Sequence, residues 1–238
     1  MPDIVELFSK RPFAVVAHRG ASSYEPENTL RAVGRAVEMG ADMVEVDVRL
    51  SKDGVPVVIH DETLDRTTDG SGRVRDYSVK ELRRLDAGMG EKIPLLSEVL
   101  ELVRNKVGLL VEVKELDSSE PSLRLVEAAN MLSQVMFISF SRVALRLIGE
   151  LNPNAHRGLI YSRPGDHVVA AKRMGCLAVI PYYRLATGKA VRFAHRLGLK
   201  VNVWTVDDVE VARTLAERGV DSITTNKPDV IVKLRKML

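Results

Sequence analysis

Cysteine is nearly absent: Cys176 is the only one in 238 residues, so no intrachain disulfide can form, and the chain suits a reducing compartment. Flanked by Gly175 and Leu177, Cys176 reads as a small core residue rather than a nucleophile. Long apolar runs are missing as well. None approaches the roughly 18 residues of a membrane helix. The N-terminal MPDIVELFSKRPF lacks the basic start and apolar stretch of a secretion signal, so a cytoplasmic location is expected. Neither sign of charge dominates, with 35 Lys and Arg against 32 Asp and Glu. The cations are spread out. Arg192, Arg196, Lys200, Arg235 and Lys236 fall near the ends of expected helices, where they complement the helix dipole. No concentrated basic face with interleaved aromatics appears, so nucleic acid is not an expected partner. Internal repeats and low-complexity tracts are also absent.

What is present is alternation. Short β-branched runs predict strands over 13–18, 43–48, 109–113, 135–139, 157–160, 178–180, 201–204 and 222–225. Apolar spacing of three and four predicts helices between them, over 29–39, 97–104, 122–132, 142–151, 188–197, 207–217 and 229–236. Eight strands alternating with helices argue for parallel pairing through right-handed crossovers, and eight is the number at which such a sheet closes. The expectation is therefore one (β/α)₈ TIM barrel domain over 1–238, near the roughly 250 residues usual for that fold. An open doubly wound sheet is the alternative. One segment breaks the pattern. Asp53-Gly54 is a two-residue hairpin signal, so 57–60 should return antiparallel to the second strand. The polar stretch 61–94, with one short helical piece at 79–85, reads as an insertion over the top of the barrel, where loops build ligand sites.

Strand geometry then picks out chemistry. In Val44-Glu45-Val46-Asp47-Val48 the valines share one face and the carboxylates the other. With helices covering the valines, Glu45 and Asp47 must point into the barrel, where unneutralised carboxylates are costly and call for a cation. The third strand repeats the device with Glu112 and Lys114. Three carboxylates from adjacent strands make an oxygen-rich site suited to one divalent cation, Mg²⁺, Ca²⁺ or Mn²⁺. Lys114 could pair with Glu112, face an anionic substrate, or do both. His18 ends the first strand and His60 the return strand, beside the acidic cluster, as acid–base catalysis near neutral pH requires. His156, His167 and His195 have no such setting and read as structural. Arg19 offers a planar fork for phosphate oxygens, or a pair with Glu27. Asn28-Thr29 looks like a helix N-cap. Trp204, the only tryptophan, ends a strand and reads either as core or as an apolar wall for a glycerol moiety. Metal, acid, base and two cations together describe phosphoester hydrolysis.

These pieces resemble the glycerophosphodiester phosphodiesterase family, related to phosphoinositide-specific phospholipases C. The likeness rests on HRG at 18–20, PENT at 26–29, GADMVEVDV at 40–48, DGVPVVIHD at 53–61, LDRTT at 64–68, EVK at 112–114, VWTV at 203–206 and TNKPD at 225–229, in order along nearly the whole chain. The resemblance implies a barrel with the insertion, a divalent cation on Glu45, Asp47 and Glu112, and catalysis by His18 and His60. It implies phosphate binding by Arg19 and Lys114, and a substrate site lined by Trp204. It further implies hydrolysis of glycerophosphodiesters to sn-glycerol 3-phosphate and an alcohol. A lysophospholipase D activity on the same machinery is a rival; it needs an apolar groove, to which Tyr182, Tyr183 and Phe140 could contribute. A sugar-phosphate isomerase or aldolase is disfavoured, because the last two strand ends lack the glycine-rich phosphate loops. A non-catalytic barrel is disfavoured because all five metal and histidine positions are filled.

Overall fold

The computed structural model describes residues 2–238. Among these residues nine strands run in chain order: β1 (Ala14–His18), β2 (Met43–Leu50), β3 (Pro56–Val58), β4 (Gly108–Val113), β5 (Val135–Ser139), β6 (His156–Tyr161), β7 (Ala178–Pro181), β8 (Lys200–Val203) and β9 (Ser222–Thr225). The helices are α1 (Ile4–Leu7), α2 (Leu30–Glu38), α3 (Val79–Leu82), α4 (Leu96–Val103), α5 (Ser119–Ala128), α6 (Arg142–Leu151), α7 (His167–Arg173), α8 (Gly188–Arg196), α9 (Val209–Glu217) and α10 (Pro228–Met237). Eight strands pair in parallel in the order β1-β9-β8-β7-β6-β5-β4-β2, and β1 pairs with β2, which closes the ring. The TIM barrel expected from the alternation is the fold observed. β3 lies outside the ring, antiparallel to β2, with Val48 opposite Val58 and Leu50 opposite Pro56. Among the described residues no helix is long and apolar enough to cross a membrane.

Alternation sorts the core into two shells. Val44, Val46, Val48, Leu109, Val111 and Val113 pack outward against Val33 and Ala36 of α2 and Val99 and Leu100 of α4. Ala14, Val16, Met43, Leu110, Met136, Ile138, Ile160 and Ile180 fill the interior of the ring. Ile4 and Phe8 belong to that inner shell, so α1 plugs the barrel from the N-terminal side. Gly108 makes room for the plug, since a Cβ there would lie 2.7 Å from Leu7 and 2.8 Å from Met43. Above the apolar interior, the same inward positions of β1, β2 and β4 become charged.

Several elements differ from the sequence expectation. The short helices α1 and α7 were not expected, because neither is long enough to show a full amphipathic period. The helix after β4 starts earlier and ends earlier than 122–132, and the piece expected at 79–85 stops at Leu82. Lys200 opens β8 rather than ending a helix, and its ammonium lies 3.6 Å from buried Asp221. Asp221 and Asp42 stand one residue ahead of β9 and β2, and their carboxylates accept from Val201 N at 2.8 Å and Val15 N at 2.7 Å. Arg235 pairs with Asp42, which ties α10 to the barrel. The segment following β3 builds its own small core from Ile59, Leu64, Val74, Leu82, Ala87 and Ile93.

Candidate active site

Strand register assembles the site. His18 stands opposite Glu45 across β1–β2, and Asp47 stands opposite Glu112 across β2–β4. Ile59 N donates to Asp47 O at 3.0 Å, so the return strand delivers His60 at the height of Asp47, as the hairpin predicts. One oxygen from each of Glu45, Asp47 and Glu112 lies within 4.8 Å of the others, the one cluster of this kind among the described residues. Lys114 Nζ reaches Glu112 Oε1 at 2.7 Å and Asp47 Oδ1 at 3.3 Å. The salt bridge and the cavity-facing charge are therefore properties of the same side chain.

Beyond β1 the chain turns through two left-handed residues, Arg19 at φ 54° and Gly20 at φ 79°. Glycine is needed at the second, where a Cβ would sit 2.5 Å from the Ala32 carbonyl carbon. The turn aims Arg19 N at Glu45 Oε2 (3.0 Å) and its Nη1 at Glu27 Oε1 (2.9 Å). Arg19 Nε lies 3.1 Å from Asp47 Oδ2 but makes no hydrogen bond, so that contact is ionic. Asn28 is also left-handed, at φ 59°. It is not the helix cap; Thr29 is, accepting from Ala32 N at 3.1 Å. Asn28 instead clasps Asp47, with Nδ2 donating to Oδ2 at 2.9 Å and Oδ1 accepting from the Asp47 amide at 3.2 Å.

Each histidine is held by its Nδ1. His60 meets Asp61 Oδ1 at 2.6 Å, and Arg66 binds both Asp61 and Glu27. His18 meets Asn226 Oδ1 at 2.8 Å, while its Nε2 lies 4.0 Å from Glu45 Oε2. A cavity of about 190 Å³ is lined on one side by His18, Arg19, Glu45, His60, Glu112 and Lys114 and on the other by Ile138, Phe140, Ile160, Ile180 and Trp204. Trp204 Nε1 donates to Ile180 O at 2.9 Å, and its ring meets Phe140 and Tyr182 edge-on at 5.6 and 5.9 Å. All eight residues singled out in the sequence converge. Asn28, Asp61, Arg66 and Asn226 were not singled out for a role in this site, although all four lie within the shared motifs. His167 stacks on Tyr161, and His195 binds Asp221, so both stay structural. A wider cleft beside Arg66, lined by Glu25, Asp69 and Asp86, has its carboxylates already engaged by backbone amides and Arg31.

Electrostatics point to a missing positive charge. Burial, then Asp47 and Glu112, push the Glu45 carboxyl well above its ordinary range. Burial and Asp47 push Glu112 up to about 7. Burial opposes charge on Asp47 too, yet Lys114, Arg19 and His60 hold it below the ordinary value. Glu45 Oε1 is buried with no hydrogen-bond partner. A hard cation held by Glu45, Asp47 and Glu112 would fit this set, since it would satisfy that oxygen and offset the carboxylate repulsion. Burial, and then Arg19, lower the proton affinity of His18; burial lowers that of His60.

The model of the glycerophosphoryl diester phosphodiesterase family matches residues 18–230. The chain belongs to this family. Membership makes it an enzyme, a phosphoric diester hydrolase. It is 38% identical over 237 residues to a glycerophosphodiester phosphodiesterase of Caldanaerobacter subterraneus subsp. tengcongensis, covering 92% of this chain and 96% of that protein. A Bacillus subtilis glycerophosphodiester phosphodiesterase is 30% identical, covering 97% and 89%. Among solved structures, an Oleispira antarctica phosphodiesterase in complex with the product sn-glycerol 3-phosphate aligns with a TM-score of 0.88 at 31% identity, covering 93% and 96%. The Thermotoga maritima glycerophosphodiester phosphodiesterase aligns with a TM-score of 0.84 at 30% identity, covering 94% and 98%.

Proposed function

We propose that the chain hydrolyses glycerophosphodiesters to sn-glycerol 3-phosphate and an alcohol, using one divalent cation on Glu45, Asp47 and Glu112 and acid–base catalysis by His18 and His60. The supporting observation is the inward carboxylate cluster with its orphaned Glu45 Oε1, set between two histidines whose Nδ1 atoms are both taken. The family supplies the reaction, and the product in the Oleispira protein supports the glycerol phosphate half.

The cation, when bound, polarises a phosphoryl oxygen. Arg19 and Lys114 add positive charge beside the same space, where negative charge grows in the transition state. His18 has a neutral amide at Nδ1, and burial disfavours its charged form, so it serves as the base that takes the proton from the attacking water. His60 has a carboxylate at Nδ1, which offsets part of the lowering that burial imposes, so of the two rings it is the one placed to protonate the departing alkoxide. The bond from phosphorus to the incoming oxygen forms as the bond to the alcohol oxygen breaks. Trp204 and the isoleucines give the carbon skeleton an apolar wall. Buried Cys176 suits a reducing compartment, and we place the activity in the cytoplasm.

One observation favours a second substrate class, lysophospholipids: Phe140 and Trp204 of the cavity wall continue in ring contacts to Tyr182 and Tyr183. A metal-by-substrate matrix decides between them. Chelator-stripped protein is assayed with Mg²⁺, Mn²⁺ or Ca²⁺ against glycerophosphocholine, glycerophosphoethanolamine and lysophosphatidylcholine. Release of glycerol 3-phosphate only with metal is expected. Metal-independent turnover, or preference for the lipid, would overturn the corresponding part.

A further inference from the structure

Asp207 and Asn226 do not line the cavity, yet Asn226 hydrogen-bonds His18 and Asp207 hydrogen-bonds Asn226. Asn226 follows β9, and Asp207 lies between β8 and α9. An asparagine side chain is symmetric in outline, so its orientation follows from its partners. Here Asp207 supplies the constraint. Its Oδ2 accepts from Asn226 Nδ2 at 2.7 Å, and its Oδ1 accepts from Asn226 N at 2.7 Å and Thr225 Oγ1 at 2.8 Å. A carboxylate only accepts. Turning the amide over would set two acceptor oxygens against each other with no proton between them.

With Nδ2 fixed on Asp207, Asn226 Oδ1 must face His18 Nδ1, 2.8 Å away. That oxygen accepts, so Nδ1 must donate. A neutral imidazole carries one proton; placing it on Nδ1 leaves the Nε2 lone pair free on the side of Glu45 and the cavity. Ser22 Oγ lies 2.8 Å from His18 O and 3.0 Å from Asn226 Oδ1 and can donate its one proton to either. We propose that Asp207 and Asn226 are positioning residues that lock His18 in the Nδ1–H tautomer, so that its Nε2 is the atom that accepts the proton. This rests on the reading of His18 as the base. The interposed amide explains why the device differs from that at His60. It passes on direction from Asp207 but keeps its negative charge one residue away, so the ring is oriented without being strongly stabilised as imidazolium. The other role open to the pair, merely stitching the β8 and β9 loops together, would leave the tautomer indifferent to it.

Two-bond ¹H–¹⁵N correlation spectra of the ¹⁵N-histidine-labelled full chain, loaded with diamagnetic Mg²⁺, read the tautomer directly. Native His18 is expected to show protonated Nδ1 and bare Nε2. In Asp207→Asn the amide is free to turn, so the His18 pattern should become mixed or inverted. In that variant kcat should fall by about 10-fold or more with KM changed by less than about 2-fold, the pattern of a lost transition-state interaction. Asp208→Asn, which keeps the capping oxygen of α9 and removes only the neighbouring charge, should keep both the tautomer and the turnover. A native spectrum showing Nε2–H overturns the proposal without any variant. So does an Asp207→Asn protein with an unchanged His18 pattern. If the tautomer behaves as stated while His18→Ala keeps native turnover, the positioning stands and the base assignment fails.

Discussion

Glu45, Asp47 and Glu112 owe their position to a period of two, and His18 to the last inward place on β1. Removing either ring to which a proton transfer is proposed should therefore be felt in turnover alone. His18→Ala and His60→Ala are each expected to lower kcat by about 10²-fold or more while thermal unfolding shifts little, because both rings border the cavity rather than the apolar core. Native rates in both would remove them from the mechanism. Cys176 gives a contrasting expectation. Burial pushes its thiol up to about 11, so thiol-specific reagents at neutral pH should modify it only after unfolding. Fast labelling of the native protein would contradict that. At this scale the charged side chains were readable because alternation alone assigns their face. Asn28 and Asn226 were not, because their roles depend on a left-handed turn and on partners 19 and 208 residues away. Asn28 looked like a cap because asparagine is a good cap residue and a helix does begin beside it.

At the scale of elements, the strands and the longer helices follow from apolar periodicity, and the Asp53-Gly54 hairpin follows from turn chemistry. The elements that periodicity misses are α1 and α7, whose few turns bury too few side chains to mark a stripe. Ile4 and Phe8 show what was lost, since they complete the floor of the barrel. The β1–α2 connection offers a direct probe of how the elements set the site. Gly20→Ala forces a left-handed alanine into the Ala32 carbonyl, while Arg19 and Asn28 on either side hold Glu45 and Asp47. A loss of about 1–3 kcal/mol is expected from the strain. Chemical denaturation measures it, and a variant as stable as the parent would mean that the close approach costs nothing.

Across the whole molecule, burying three acids in one ring makes stability depend on pH and metal together. Glu112 titrates near 7 in the metal-free fold, above its ordinary value, and Glu45 is shifted the same way. A raised carboxyl contributes its stability while protonated and loses it as pH climbs through the folded value. From these two carboxyls the metal-free protein should thus lose stability as pH rises from about 5 to about 8, against the opposite contribution of His18 and His60, whose lowered proton affinity adds stability over the same window. Asp47 is shifted in the opposite direction, and its contribution is lost only on acidification below this window. A divalent cation favours the ionised cluster and should flatten or reverse the trend. Scanning calorimetry with chelator and with Mg²⁺ checks the sign, and parallel curves would contradict it. Direct titration of chelator-stripped protein with Mn²⁺ in a calorimeter goes to the root. One ion per chain should bind, and Glu45→Gln and Glu112→Gln should each weaken or abolish binding. No heat at saturating Mn²⁺, Mg²⁺ and Ca²⁺, or undiminished binding in both variants, would mean that the three carboxylates do not hold the ion on which the proposed hydrolysis depends.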